Sequence, residues 1–172
     1  MAETAFSSRR YWRACLAAAG LIVVLDAAVK QTVMLLMPYG ASVSITPFFN
    51  LVHVWNTGAA FSILADAGGW QRYALSALGI GVSIVLAWLL WRGVANRLDT
   101  AAYTLIMGGA LGNVADRIAR GFVVDYLDFH WRGWHWPAFN VADISITFGA
   151  LFLVIAALRR PAQASIPPSP VP

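Results

Sequence analysis

The chain has 172 residues, 59% of them hydrophobic and 12% charged, with a formal net charge of +4. Soluble domains carry about 25% charged residues, so this chain lacks the polar surface to cover a core in water, and a bilayer is the expected solvent. Its arginines gather at the ends of apolar runs rather than along one face, which argues against nucleic acid as a partner.

The length is that of one domain. The lone cysteine, Cys15, lies inside an apolar run, can form no intrachain disulfide and reads as a packing residue. A membrane helix needs about 20 mostly apolar residues, and four stretches come near that. The first covers about 11–37 and contains Asp26 and Lys30, the second about 73–91 with no charge at all. The third covers about 101–118, and the fourth 141–158, closed by Arg159, Arg160 and Pro161. The expected fold class is an all-α membrane protein of four transmembrane helices, forming one domain over residues 1–160. The proline-rich segment 161–172 reads as a disordered cytoplasmic tail.

Arginine placement orients this bundle. Arg9, Arg10, Arg13, Arg92, Arg97, Arg159 and Arg160 fall on one side, against Arg72, Arg117, Arg120 and Arg132 on the other. The positive-inside rule puts the first set, and both termini, in the cytoplasm. The 38–72 and 121–139 connections then face outward. The first run is too long for a signal-peptide core and reads as an uncleaved span.

Asp26 and Lys30 are four apart and share a helix face. Charges at membrane depth must be neutralised or must face protein or water, so the pair reads as a structural lock or as support for a polar site. In the outer connection that follows, residues 43–54 are rich in β-branched and aromatic side chains, and Asn56-Thr57-Gly58 is a turn signal. A short sheet there must stay outside the hydrocarbon. A short amphipathic segment is expected over Ile63–Gly69. In span three, Gly108, Gly109, Ala110 and Gly112 form a small-residue face suited to close helix packing.

Four of the chain's eight acids fall between Gly108 and Ser145: Asp116, Asp125, Asp128 and Asp143. Asp116 can pair with Arg117 or Arg120, and Asn113 shares a helix face with Arg117. In VVDYLDFHW, Asp125 and Asp128 share a face if the segment is helical and take opposite faces if it is extended; sequence leaves them equal. Asn140 is a good N-cap for span four, with Asp143 in its first turn. Two carboxylates held together in a partly dry site can divide the labour of hydrolysis, one neutral and one ionised. No HExxH or GxSxG motif offers other machinery, and His53, His130 and His135 lack ligand spacing. No cofactor or metal is implied. A small transporter or channel accessory using buried carboxylates as an ion path remains the rival from residues alone.

Taken together, Asp26 to Lys30, FFNLVHVWNTGAAFS, GGALGNVADR, GFVVDYLDF and FNVADISI resemble, in this order, the bacterial signal peptidase II family. The resemblance implies an aspartyl endopeptidase of the inner membrane with a small β-cradle and active site on the periplasmic face. It would act as a monomer on diacylglyceryl-modified prolipoproteins among membrane lipids, cutting on the N-terminal side of the lipid-modified cysteine. By the matched blocks the catalytic pair would be Asp125 and Asp143. Asn56, Gly58, Asn113, Arg117 and Asn140 would shape the site, with Asp26, Lys30 and Asp116 behind them. Trp55 departs from the family, standing where an arginine often precedes the asparagine, and the WRGWHW segment is unusually rich in tryptophan.

Overall fold

The computed structural model describes residues 8–58 and 67–159. Within them a 3-10 turn, Ser8–Arg10, leads into α1 (Trp12–Leu36), followed by β1 (Ser42–Thr46) and β2 (Phe49–Asn56). Then come α2 (Gln71–Arg92), α3 (Arg97–Arg120), β3 (Val123–Trp131), β4 (Trp134–His135) and α4 (Val141–Leu158). Most of the amphipathic segment expected at 63–69, and all of the tail at 161–172, lie outside the described residues.

Helices α1, α2 and α4 are long and apolar enough to cross a membrane by length and composition. Leu25, Leu35, Leu78, Ile84 and Val154 on their outer faces are each more than half exposed, an apolar surface too extensive for a protein bathed only in water. α1 stops at Met37 because Pro38 disfavours helical geometry in the residue before it.

α3 is not among these apolar helices, and its position explains why. It lies at the centre, packed against α1, α2 and α4, so most of its side chains meet protein, the exposed Ile118 near its end being an exception. It begins at Arg97, four residues before the expected span, because the Asn96 side chain accepts from Leu98 N–H and satisfies a free donor of the first turn. It ends at Gly121, whose φ of 86° is the left-handed cap glycine supplies at low cost.

Small residues set how closely α3 approaches its neighbours. A Cβ on Gly109 would lie 2.3 Å from the Ala142 carbonyl oxygen, and one on Gly112 would lie 2.8 Å from the Asp26 carboxylate. Backbone cannot swing aside, so Gly109→Ala must push α4 away. We expect it to cost about 1–3 kcal/mol, read as a lowered melting temperature in detergent. Gly20→Ala, where an added Cβ meets nothing within 4 Å, should show no such drop.

The strands form one antiparallel order, β1-β2-β3-β4. β2 belongs to the connection after α1 and β3 to the one after α3, so their pairing ties both connections together at one end of the helices. The register sets Val54 opposite Asp125 and Asn50 opposite Asp128. Val33 of α1 and Met37, its C-cap, pack with Val124 and Tyr126 of β3, fixing the sheet to the helix beneath it.

Candidate active site

Asp125 and Asp143 belong to different elements, and a short backbone contact joins them. Phe139 pairs with Leu127 as an isolated antiparallel bridge, with Phe139 N–H donating to Leu127 O at 3.0 Å and Leu127 N–H to Phe139 O at 2.9 Å. That bridge seats Asn140, the next residue, beside β3. Its amide Nδ2 donates to Asp125 Oδ1 at 2.6 Å. Asn140 is also the N-cap of α4: its Oδ1 accepts from Asp143 N–H at 3.0 Å and its own N–H donates to Asp143 Oδ2 at 3.2 Å. This is a capping box with aspartate as the acid. One fully buried asparagine thus holds both carboxylates.

Two more asparagines complete the surroundings. Asn56, at the end of β2, donates to Asp125 Oδ2 at 3.1 Å, while its own Oδ1 accepts from Gly58 N–H at 3.0 Å. Asn113 of α3 donates to Asp143 Oδ1 at 2.8 Å. Arg117, one turn on from Asn113, lines the same cavity. Its Nη2 donates to Gly58 O at 2.6 Å, tying α3 to the end of β2.

Both acids open onto one cavity of about 860 Å³. Its far walls are hydrocarbon, among them Leu78, Val82, Ile146 and Phe148. A polar end and an oily flank suit a ligand that is part peptide and part apolar. Trp55 borders the cavity as well; its indole N–H donates to His53 Nε2 at 3.1 Å and it lies 4.3 Å, centroid to centroid, from both Phe122 and Tyr39.

Behind the acids runs a buried charge network. Lys30 Nζ lies 2.7 Å from Asp26 Oδ2 and 3.0 Å from Asp116 Oδ2, and it donates to Asn113 Oδ1 at 3.1 Å. Asp26 Oδ1 accepts from Ala142 N–H at 2.9 Å, in the first turn of α4. Of the two arginines open to Asp116, Arg120 pairs with it. Arg117 reaches Gly58 instead.

The two acids of VVDYLDF separate as an extended chain requires. β3 runs through both, so their odd spacing sends them to opposite faces. Asp125 faces the cavity; Asp128 accepts from Asn50 Nδ2 at 2.9 Å and lies 2.9 Å from His135 Nδ1. Among the described residues no group of His, Cys, Asp and Glu has the arrangement to hold a metal ion. Tyr126 adds a contact with no sequence signal: its hydroxyl accepts from Val141 N–H at 3.2 Å, next to the α4 cap.

Burial, then the negative charge of Asp143, push the Asp125 carboxyl up to about 7, against the pull of the Asn56 and Asn140 hydrogen bonds. The folded state therefore binds this proton more tightly than the unfolded chain does. The group costs no stability below about 4, and its cost grows as pH rises to about 7, where it levels off. The slope is at most about 1.4 kcal/mol per pH unit. Melting temperatures in detergent should fall across that window in the wild type, and Asp125→Asn should flatten the fall.

Fold and cavity together define a class: a helical membrane protein with paired acids at the polar end of an apolar cavity. A family model described as signal peptidase (SPase) II matches residues 18–159. The lipoprotein signal peptidase of Serratia marcescens is 53% identical over 145 residues, covering 84% of this chain and 85% of that one. The corresponding protein of Cupriavidus necator is 55% identical over 140 residues, covering 81% and 80%. Among solved structures, a bacterial membrane enzyme determined by the in meso method at 2.3 Å matches with a TM-score of 0.75 and 32% identity, over 85% of this chain and 88% of that one. The chain belongs to the signal peptidase II family, and its function is that of a membrane-bound aspartic protease.

Proposed function

We propose that this enzyme removes signal peptides from diacylglyceryl-modified prolipoproteins, cutting on the N-terminal side of the lipid-modified cysteine, with Asp125 and Asp143 as its catalytic pair. The observation that carries the assignment is the tie through Asn140, which holds both carboxylates at one cavity. Asp125, raised to about 7, keeps its proton up to about that pH and is the acid, and Asp143 is the base. Asp143 takes a proton from water as its oxygen attacks the scissile carbonyl carbon. Asp125 gives its proton to the carbonyl oxygen, so the tetrahedral intermediate is a neutral diol. Collapse returns one hydroxyl proton of the diol to Asp125 and passes the proton on Asp143 to the departing cysteine nitrogen, leaving the signal peptide with a carboxylic acid that then loses its remaining proton to solvent.

In this reading Asn56, Asn113 and Asn140 keep the acids in register, and Arg117 with Gly58 shapes the cavity wall where substrate backbone lies. Asp26, Lys30 and Asp116 fix those residues from behind. α3, third in chain order, brings the number of spans to four, packed among its neighbours, and the enzyme is one domain acting as a monomer. Both termini are cytoplasmic and the sheet end faces the periplasm of an inner membrane, as the arginine distribution supports. Lipid acyl chains lie along the apolar wall of the cavity.

The test is cleavage of a lipidated precursor by the purified enzyme in detergent micelles, with the product termini identified by mass spectrometry. Hydrolysis is expected with no membrane gradient present, leaving the modified cysteine as the new N-terminus. A cut elsewhere, or none, would refute the reading.

A further inference from the structure

The two ends of an asparagine amide have nearly the same shape but opposite hydrogen-bonding character. Each asparagine around the acids must therefore be told which way to face. For Asn56 the signal is local, since Gly58 N–H occupies its oxygen and leaves the NH2 for Asp125. For Asn140 it is local too: Asp143 N–H occupies the oxygen and the NH2 meets Asp125. Asn113 has no such help. It lies inside α3, where the neighbouring backbone N–H groups are committed to the helix.

Its oxygen is held chiefly by Lys30, 83 residues away in sequence, at 3.1 Å; Asn140 Nδ2 also donates to it, but at 3.4 Å and while bound at 2.6 Å to Asp125. An ammonium has three donors and no acceptor, so the amide end facing it must be the oxygen. The NH2 then has one direction left, toward Asp143 Oδ1 at 2.8 Å. Lys30 itself is fully buried and anchored by Asp26 and Asp116.

We propose that Lys30 is a positioning residue for the acid pair: its ammonium fixes the polarity of the Asn113 amide so that a donor, and never an acceptor, faces Asp143. This rests on the reading of Asp143 as catalytic. Without the ammonium only the long Asn140 contact holds the amide oxygen, so the amide can turn that oxygen onto a carboxylate oxygen, where two acceptors repel. The lysine acts on the reaction only through Asn113. Its removal should therefore lower kcat while leaving KM nearly unchanged, and should do nothing further once Asn113 can no longer donate.

A double-mutant cycle reads this directly. Asp26→Asn is the common background, because adding Lys30→Met to it removes one buried charge of each sign, and the asparagine carbonyl can still accept from Ala142 N–H. In that background Lys30→Met is expected to lower kcat for the lipidated precursor by about 10–100-fold, with KM within about threefold. With Asn113→Leu also present, the same change should lower kcat by less than about threefold. Equal losses in both backgrounds would mean that the lysine serves the fold at large, and would overturn the proposal. Asn113→Asp is the second variant, for use should the Lys30→Met protein not accumulate: it keeps an oxygen for Lys30 but turns an acceptor toward Asp143. A kcat loss of at least about tenfold in a protein that melts normally is expected, and a wild-type kcat would overturn the proposal. Wild-type turnover in Asp143→Asn would instead end the underlying reading, whereas normal Asn113→Asp beside an inactive Asp143→Asn ends only the role of the lysine.

Discussion

Asp125→Asn and Asp143→Asn are each expected to lower kcat for a lipidated precursor by about 10³-fold or more. Each substitution removes a group that moves a proton in the proposed reaction, so the loss should fall on kcat rather than KM. The proteins should still reach the membrane and survive extraction. Asp143→Asn keeps one amide oxygen, which can accept from either Asn113 or the Asn140 N–H. Asp125→Asn likewise leaves Asn56 or Asn140 facing an NH2, so each variant gives up one of two hydrogen bonds and comparable, modest changes in melting temperature are expected. Turnover within tenfold of wild type in either variant would remove that residue from the chemistry.

Lys30→Met alone should have the largest effect on stability. It leaves Asp26 and Asp116 facing a methyl group in a fully buried site. Breaking a buried ion pair by deleting one partner costs about 3–5 kcal/mol, because the remaining charge keeps its desolvation penalty. The two acids do not suffer equally. Asp116 still has Arg120 and the Val124 N–H, whereas Asp26 keeps the Ala142 N–H. Adding Asp26→Asn should therefore restore much of the lost melting temperature, and adding Asp116→Asn should restore less. An unchanged melting temperature in Lys30→Met would contradict this account of the network.

Much of the architecture is legible in the sequence, because lipid imposes a simple pattern. The uncharged run at 73–91 and the basic closure after Leu158 mark helices that the structure extends by two residues or fewer. α3 is harder to read, since a central helix surrounded by protein can carry Asp99, Asn113, Asp116 and Arg117 and so falls below the hydropathy of its neighbours. Its start at Arg97 depends on the Asn96 cap. An extended VVDYLDF separates Asp125 from Asp128, but which of them faces the cavity depends on the pairing of β3 with β2 and on its packing on α1, neither of which the segment announces. Asn140 and Asp143 are legible as a helix start, and their capping geometry turns out to be the same contact that joins the acid pair. Spacing within α3 offers Arg120 as a partner of Asp116, but its second partner, Lys30, and the polarity of Asn113 could not be read at all. Both depend on side chains from α1 meeting α3 across more than 80 residues of chain, and spacing within one helix carries no trace of that.

The pH dependence of kcat/KM for precursor cleavage tests the central claim most directly, because it reports the ionisations of the free enzyme. If Asp125 must hold a proton while Asp143 is ionised, activity falls about tenfold per pH unit above about 7, the value to which burial and Asp143 raise Asp125. Activity that stays level or keeps rising from about pH 7 to about pH 9 would mean that no proton on Asp125 is needed, and the acid pair as described would not be the catalyst.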